Sequence, residues 1–190
     1  MPAQPTPARQ DYRIFVGAFL TGELAERIHA TRQRYDPTTA QITLPHVTLA
    51  GTYWRSGRAT PHNEAETIAR LQALQGHVPP FELVLGGIRT FLPAGKPLIY
   101  LSVESTLGLL AARGALIQTL GPDKHGSFIP HLTLAMRLEE AAARGMLAGL
   151  HASEWHSGRW RAPIQRLSLM QRGPSDPAWR AIFHLELLSQ

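Results

Sequence analysis

Residues 45–50 read Pro-His-Val-Thr-Leu-Ala, and residues 130–135 read Pro-His-Leu-Thr-Leu-Ala. The two hexamers differ at one position, where one aliphatic residue replaces another. A close internal repeat of this kind indicates that one structural unit occurs twice in a chain. The length of 190 residues fits one domain, or one domain built from two similar lobes that would each carry one copy of the motif.

Each hexamer reads as a β-strand, in which successive side chains point to opposite faces. Val47 and Leu49 then face the core, while His46 and Thr48 share the other face. His131 and Thr133 are arranged in the same way. If a pseudo-two-fold axis relates the lobes, two imidazole–hydroxyl pairs face each other across a cleft.

This set of groups suits transfer at a phosphodiester. Such a reaction needs a base to activate the nucleophile and an acid to protonate the leaving oxygen, and histidine can do either near neutral pH. Hydroxyl groups can donate hydrogen bonds to the non-bridging oxygens as negative charge develops there. In-line displacement puts acid and base on opposite sides of the phosphorus, as two facing motifs would.

Two other interpretations of the repeat remain open at this level. His-x-Thr also occurs as ordinary strand sequence, because threonine favours strands. His46 and His131 could instead bind a metal, but zinc sites take three or four ligands and no third ligand has matching spacing. We therefore predict no metal and no cofactor.

The rest of the chain predicts an α+β fold, with helices covering the outer faces of mostly antiparallel sheets. Alternating or short apolar runs predict strands at 13–20, 42–52, 81–88, 98–104, 127–137, 164–171 and 181–188. Helical spacing predicts helices after Thr21 and at 61–75, 107–120 and 139–150. Residues 93–97 predict a turn, and residues 173–177 the loop of a hairpin.

The composition narrows the function classes. The chain has 190 residues, of which 44% are hydrophobic, and no apolar run long enough to span a bilayer. The absence of cysteine excludes thiolate catalysis and disulfides and fits a cytoplasmic location. The net charge of +5 comes almost entirely from arginine, whose planar fork binds phosphate oxygens well. We expect a disordered tail at 1–10 and one domain at 11–190.

The double motif resembles that of the 2H phosphoesterases, in particular the bacterial RNA 2′,3′-cyclic phosphodiesterases, also called 2′–5′ RNA ligases. The family is defined by two His-x-Thr-x motifs, matched here by 46–49 and 131–134. The first strand at 13–16, the strands at 81–91 and 97–103, and 128–130 before the second motif also look similar. The resemblance covers most of residues 11–137.

The resemblance implies a bilobal, duplicated fold whose sheets line a central cleft. It also implies that His46 donates a proton, that His131 activates water, and that Thr48 and Thr133 bind the phosphate. The activity implied is opening of RNA 2′,3′-cyclic phosphate ends to 2′-phosphates, with 2′–5′ joining of RNA as the reverse type of reaction. The expected partners are RNA ends or nucleotide cyclic phosphates, and the expected state is a monomer that does not bind membranes.

Three residues outside the motifs are further candidates for substrate binding. Tyr53 and Trp54 follow the first motif, where relatives often carry Phe-Leu-Gly, and could stack on a base. Arg137 follows the second motif and could reach a phosphate. These departures from the family pattern bear on the substrate more than on the chemistry.

Two other functions compete with RNA cyclic phosphate hydrolysis. One is the same two-histidine chemistry on a small metabolite, such as a small cyclic nucleotide or a cyclic phosphate of ADP-ribose. The other is a non-catalytic RNA-binding module, although a binder needs positive charge and stacking surfaces rather than two imidazoles. A basic track leading away from the cleft would favour RNA.

Overall fold

The computed structural model describes residues 11–91, 97–124 and 127–188, and these ranges contain eight strands. The strands are β1 (Tyr12–Phe19), β2 (His46–Arg55), β3 (Phe81–Phe91), β4 (Leu98–Val103), β5 (His131–Met136), β6 (Arg159–Ile164), β7 (Arg166–Arg172) and β8 (Arg180–Glu186). They pair into one antiparallel sheet in the order β6-β3-β4-β5-β2-β1-β7-β8.

Six helices lie between these strands in the described ranges. They are α1 (Gly22–Tyr35), α2 (Pro37–Ile42), α3 (Pro61–Gln72), α4 (Leu107–Leu120), α5 (Glu140–His151) and α6 (Glu154–Ser157). Helices α1, α3, α4 and α5 pack against the sheet through residues such as Ile28, Leu71, Leu109 and Met146, which are almost completely buried. Helices therefore cover one face of the sheet, as the α+β prediction requires.

The strand order has the symmetry that the repeated motif predicts. The two motif strands, β2 and β5, are neighbours at the centre of the sheet, and each begins at its histidine. Four strands lie on each side of this central junction, so each lobe contributes four strands. The expectation of a mixed α+β fold made mostly of antiparallel strands is confirmed, with the two lobes joined edge to edge in one sheet.

The apolar core lies between the helices and one face of the sheet. On β1 it takes Ile14, Val16 and Ala18, and on β2 it takes Val47 and Leu49. The alternate side chains of these strands point to the opposite face, which carries both motif histidines and which we call the cleft face. Since burying these apolar side chains favours the folded state, the core fixes which residues reach the cleft face.

Several element boundaries differ from the sequence prediction. Ile42 ends helix α2 rather than beginning a strand, because Asp36 accepts a hydrogen bond from the Thr39 amide and starts a new helical turn after Pro37. Strand β6 was not predicted, since it carries charged residues and Pro163. Both features suit its position at the edge of the sheet.

Some predictions fall on parts of the chain outside the described residues. These are the disordered tail at 1–10, most of the turn at 93–97, and the last two residues of the expected domain. Across 11–91, 97–124 and 127–188, no helix combines the length and apolar character needed to cross a membrane.

Candidate active site

The first motif occupies the beginning of β2. Val47 and Leu49 are fully buried in the core, whereas His46 and Thr48 are half-buried on the cleft face. Strand β1 pairs with this segment and places Phe19 opposite His46 and Gly17 opposite Thr48. The alternation predicted from the sequence therefore holds at the first motif.

The second motif repeats this arrangement at the beginning of β5. Leu132 is fully buried, and His131 and Thr133 are half-buried on the other face. The two motif strands pair through Val47 and Leu132. Extending that antiparallel register by one residue in each direction brings His46 next to Thr133 and Thr48 next to His131.

Both imidazole rings are held by the same backbone contact. The Nδ1 atom of His46 lies 2.8 Å from the carbonyl oxygen of Leu44, and Nδ1 of His131 lies 2.8 Å from that of Ile129. Because a carbonyl oxygen can only accept, each Nδ1 carries the proton and donates it. Nε2 is then the unprotonated nitrogen of each neutral ring, the one able to take a proton from a ligand.

Aromatic side chains position the two rings further. The His46 imidazole stacks on both Phe15 and Phe19, with centroid separations of 4.9 Å in each case. Gly17 lies between these phenylalanines on β1, and a Cβ atom there would come within 2.9 Å of the Phe15 ring. The missing side chain therefore lets the rings close over the strand and support the imidazole.

On the other lobe, the His131 ring contacts Tyr100 and Phe91, at centroid separations of 5.2 and 5.3 Å. Tyr100 lies on β4 opposite Thr133. Each histidine thus rests against two aromatic rings from strands of its own lobe. Such contacts restrict ring rotation and hold both imidazoles ready for a ligand.

A buried arginine shapes the turn before His46. Arg32 is 1% exposed, and its guanidinium donates to the carbonyl oxygens of Thr43 at 2.7 Å and Thr39 at 3.2 Å. These bonds tie α1 to the end of α2 and to the segment that leads into β2. The Asp36 carboxylate links the same region to β5, because it accepts a hydrogen bond from the Met136 amide at the end of that strand, at 2.9 Å.

The surroundings of His46 lower its pKa to about 4. Burial among protein atoms is the largest cause, although part of the ring surface remains accessible from the cleft. The hydrogen bond to the Leu44 carbonyl opposes this effect, while the positive charge of Arg32, and that of His131 when it is protonated, lower the pKa further. At neutral pH His46 is therefore uncharged in the free protein.

This pKa makes the stability of the fold depend on pH. An unfolded histidine binds its proton near pH 6.5 and the folded His46 only near 4, so the unfolded chain binds more protons between these values. The contribution of the neutral His46 to the free energy of unfolding is fully present above pH 6.5 and is lost as the pH falls towards 4. We expect His46 to account for about 3 kcal/mol of the free energy of unfolding lost over this range.

Urea unfolding of the wild type and of His46→Asn, at pH values from 7 to 4, measures this contribution. Asparagine can still donate to the Leu44 carbonyl but does not titrate. The stability difference between the two proteins should shift in favour of the variant as the pH falls. His77→Asn is a matched control, since Nδ1 of the exposed His77 lies 3.0 Å from the Gln75 carbonyl oxygen. Parallel stability curves for His46→Asn and the wild type would contradict the expected pKa.

An ion pair that the sequence analysis did not identify supports the strand beyond Thr48. Arg113 on α4 binds Asp123 with distances of 2.9 and 3.3 Å, and it also donates to the Leu49 carbonyl oxygen at 2.6 Å. The Asp123 carboxylate, 1% exposed, accepts from the Gly51 amide at 3.2 Å. Gly51 has a φ of 117°, and a Cβ there would lie 2.9 Å from that of Phe15, so glycine is required.

A cavity of about 420 Å³ opens beside His131. Thr48 and Arg113 border it, and its apolar wall includes Phe128, whose ring lies 4.2 Å from the Arg113 guanidinium carbon. The cavity is large enough for a nucleoside-sized group. Its lining thus combines polar groups of both motifs with aromatic and aliphatic side chains and with the Arg113–Asp123 ion pair.

The three further candidates from the sequence have different positions. Tyr53 lies on the core side, where its hydroxyl donates to the Gly121 carbonyl oxygen at 2.8 Å and burial raises its pKa to about 12. The prediction that Tyr53 stacks on a base is therefore wrong. Trp54 is on the cleft face and 62% exposed, and Arg137 is exposed directly after β5. Both are accessible to a ligand.

In the parts of the chain that the structure describes, no three histidine, aspartate or glutamate side chains come close enough to hold a metal ion. The two motif histidines thus lack a third protein ligand among the described residues. The groups that the cleft offers to a ligand are imidazoles, hydroxyls, aromatic rings and guanidinium groups.

Comparisons with known proteins identify the family and the fold. A family model described as the 2′-5′ RNA ligase superfamily matches residues 21–176. A provisionally named phosphoesterase of Bacillus cytotoxicus is 27% identical over 177 residues, which cover 91% of this chain and 96% of the relative. A similar provisional phosphoesterase of Bacillus cereus is 27% identical over 160 residues, covering 83% and 87%.

Solved structures share the fold. Escherichia coli LigT without ligand superposes with a TM-score of 0.64 at 19% identity, covering 95% of this chain and 99% of LigT. The same protein in complex with 3′-AMP gives 0.65 at 18% identity, covering 94% and 99%. A crystal structure described as a phosphoesterase gives 0.65 at 20% identity, covering 95% and 99%.

Proposed function

This chain belongs to the 2′-5′ RNA ligase superfamily, and we propose that it is a metal-independent phosphodiesterase that hydrolyses RNA 2′,3′-cyclic phosphate ends to 2′-phosphates. One observation carries the proposal. Two His-Thr pairs lie on adjacent central strands, and each histidine keeps its Nδ1 proton on a backbone carbonyl. Two imidazole Nε2 atoms and two hydroxyls can then act on one phosphate.

In the reaction, His131 accepts a proton from a water molecule at Nε2 while the water oxygen attacks the phosphorus. The bond between phosphorus and O3′ breaks, and His46 delivers a proton from Nε2 to O3′. The phosphate stays on O2′, so the product is a 2′-phosphate with a free 3′-hydroxyl. The assignment of acid and base follows the family pattern, and the fixed Nδ1 contacts allow each ring to exchange a proton at Nε2.

The lowered pKa of His46 has a consequence for this cycle. A proton donor must be protonated, yet His46 is neutral at pH 7 in the free protein. The negative charge of a bound phosphate favours the imidazolium ion and raises the pKa. His46 therefore takes up its proton when the substrate binds, and the desolvated imidazolium then gives it up readily to the leaving oxygen.

Thr48 and Thr133 are proposed to donate hydrogen bonds to the non-bridging oxygens of the phosphate. Replacing either by valine keeps the shape but removes the hydroxyl, and we expect kcat/KM to fall by about a hundredfold. Thr48→Ser and Thr133→Ser keep a hydroxyl and should retain most of the activity. Equal activity of the valine and wild-type proteins would exclude this role.

Joining of RNA ends uses the same groups. If a 5′-hydroxyl replaces water as the nucleophile, His131 accepts its proton and the attack yields a 2′–5′ phosphodiester as O3′ leaves. The reverse reaction cleaves a 2′–5′ bond. We propose this ligation as a secondary activity, favoured where an RNA 5′ end occupies the position of the water.

The second part of the proposal concerns the molecule that carries the cyclic phosphate. Escherichia coli LigT has been crystallised in complex with 3′-AMP, ATP and NADP⁺, and we propose that the cleft of this chain also accepts nucleotides. A small cyclic phosphate of ADP-ribose is the alternative substrate. A cytoplasmic location and a monomeric state also remain predictions.

Comparison of substrates at equal concentration tests the proposal. The set comprises a nucleoside 2′,3′-cyclic phosphate, a 3′,5′-cyclic nucleotide, a 2′–5′ dinucleotide and ADP-ribose 1″,2″-cyclic phosphate, with products identified by chromatography. We expect the 2′,3′-cyclic phosphate to react faster than the 3′,5′-cyclic nucleotide and to give the 2′-phosphate. Formation of a 3′-phosphate would contradict the proposed bond cleavage, and a preference for the ADP-ribose compound would favour the alternative.

A further inference from the structure

A row of three large side chains crosses the cleft face beyond the motifs. Trp54 on β2 and Arg172 on β7 both pair with Arg13 on β1 in the strand register. Trp179, from the loop before β8, and Arg137, after β5, lie close to this row. We call these five residues the arginine–tryptophan rim.

The arginine–tryptophan rim is connected to the motif histidine by direct ring contacts. The Arg13 guanidinium carbon lies 5.2 Å from the ring centroids of both Trp54 and Trp179. Trp179 contacts Phe15 edge-on at 4.7 Å, and Phe15 stacks on His46. Arg13 is two residues from Phe15 along β1, so the rim begins about 7 Å further along the strand.

Within the described residues, no ion pair neutralises the charges of the rim, because none of Arg13, Arg137 and Arg172 has a carboxylate within ion-pair distance. Elsewhere on the surface, carboxylates pair with Arg27, Arg70, Arg144, Arg159, Arg161 and Arg180. The Asp11 carboxylate accepts a hydrogen bond from the Gly57 amide, and the Asp176 carboxylate accepts one from the Gly173 amide.

The three guanidinium groups also affect one another. Partial burial is the largest cause of the lowered pKa of Arg13, and the positive charges of Arg172 and Arg137 lower it further. Arg172 is held in place because it donates to the carbonyl oxygens of Asp176 at 3.0 Å and Pro177 at 3.3 Å. A bound anion lowers the electrostatic repulsion within such a fixed group of like charges.

The rim also offers space and a stacking surface. An open cavity of about 810 Å³ is bordered by Arg13, Trp54 and Arg172, and its lining includes one carboxylate, that of Asp11. Trp54 presents much of its ring surface to solvent. Guanidinium groups beside exposed aromatic rings are the combination that binds the phosphates and bases of single-stranded nucleic acid.

We propose that the arginine–tryptophan rim binds the RNA strand next to the reacting nucleotide, with the arginines on backbone phosphates and Trp54 stacked on a base. This inference rests on the proposed function for the reacting end itself. It identifies the substrate as an oligoribonucleotide, because a cyclic mononucleotide has no second phosphate to occupy the rim.

The test compares kcat/KM for an oligoribonucleotide ending in a 2′,3′-cyclic phosphate with that for the matching mononucleotide. We expect the wild type to prefer the oligonucleotide. Arg13→Gln and Trp54→Ala should each reduce this preference by about tenfold, as loss of one phosphate contact or one stacked base would. Trp54 is so exposed that its replacement should not impair folding.

Arg144→Gln is the matched control. Arg144 is 69% exposed on α5, one of the helices that cover the face of the sheet opposite the cleft. This substitution removes the same charge from the protein but should leave the preference unchanged. An equal loss in Arg144→Gln and Arg13→Gln would mean that net charge, not the rim, attracts the RNA.

A binding measurement separates this inference from the proposed function. Fluorescence anisotropy of a labelled single-stranded oligoribonucleotide needs no turnover. The plot of log affinity against log salt should become shallower by about 0.7 in Arg13→Gln and stay the same in Arg144→Gln. If the wild type hydrolyses neither substrate, the proposed function fails, but the salt dependence still tests the rim. An unchanged preference and an unchanged slope in Arg13→Gln would overturn the inference.

Discussion

His46→Ala and His131→Ala are each expected to lower kcat for a nucleoside 2′,3′-cyclic phosphate by at least about a hundredfold, the usual contribution of a general acid or base. Each substitution removes one of the two nitrogens that exchange protons with the substrate. KM should change much less, because the threonine hydroxyls and the cavity beside His131 remain. Steady-state kinetics of the purified variants measures both constants.

His77→Ala is the matched control for both substitutions. His77 has the same contact between Nδ1 and a carbonyl oxygen two residues earlier, but it lies outside the His-x-Thr motifs. Its loss should leave kcat unchanged. If either motif variant keeps more than about a tenth of the wild-type kcat, that histidine is not the general acid or base.

The second large effect is on stability. Asp123→Ala is expected to lower the free energy of unfolding by about 3–5 kcal/mol, because it leaves the largely buried Arg113 guanidinium without its counter-charge. It also removes the acceptor of the Gly51 amide hydrogen bond. Urea unfolding followed by tryptophan fluorescence measures the change as a shift of the transition midpoint.

Two comparisons define the origin of that loss. The double variant Arg113→Met with Asp123→Leu removes both charges, and it should be more stable than Asp123→Ala. Glu140→Gln breaks the exposed ion pair with Arg144 and should leave the midpoint nearly unchanged. A double variant no more stable than Asp123→Ala would show that packing, rather than an unpaired charge, dominates.

The central part of the site was predictable because strand alternation is a strong physical constraint. Once Val47 and Leu132 must be buried, His46, Thr48, His131 and Thr133 have to lie on the other face. The same alternation assigns Tyr53 to the core and Trp54 to the cleft. The two register shifts between β1 and β2 each insert one extra residue on β2, and because together they amount to two residues, this assignment holds past the irregularity at Gly51. Consecutive residues of one strand cannot both face the cleft, and this separates Tyr53 from Trp54.

Other parts of the site depend on contacts that no local pattern reveals. Strand β1 is apolar on both faces, so its sequence does not distinguish Phe15, which supports His46, from Val16 in the core. Arg113 and Asp123 come from a helix and the loop after it, and only the packing of α4 on β2 brings them to the Leu49 carbonyl. The rim likewise assembles residues from distant segments of the chain.

The neutral state of His46 could likewise be derived only from the structure. A histidine on a half-buried strand has an ordinary pKa unless its surroundings change it, and the surroundings here come from β1, α1 and the other lobe. Phe15 and Phe19 cover the ring, and Arg32 supplies nearby positive charge. The sequence alone identifies His46 as a candidate catalytic residue, but it does not reveal the protonation state of His46 in the free protein.

The most direct test of the two-histidine account is phosphorus NMR of the wild-type protein with a nucleoside 2′,3′-cyclic phosphate in excess EDTA. The account predicts that the cyclic phosphate signal is replaced by that of the nucleoside 2′-phosphate at the same rate with and without chelator. A reaction that stops in EDTA and resumes when a divalent metal is restored would contradict it.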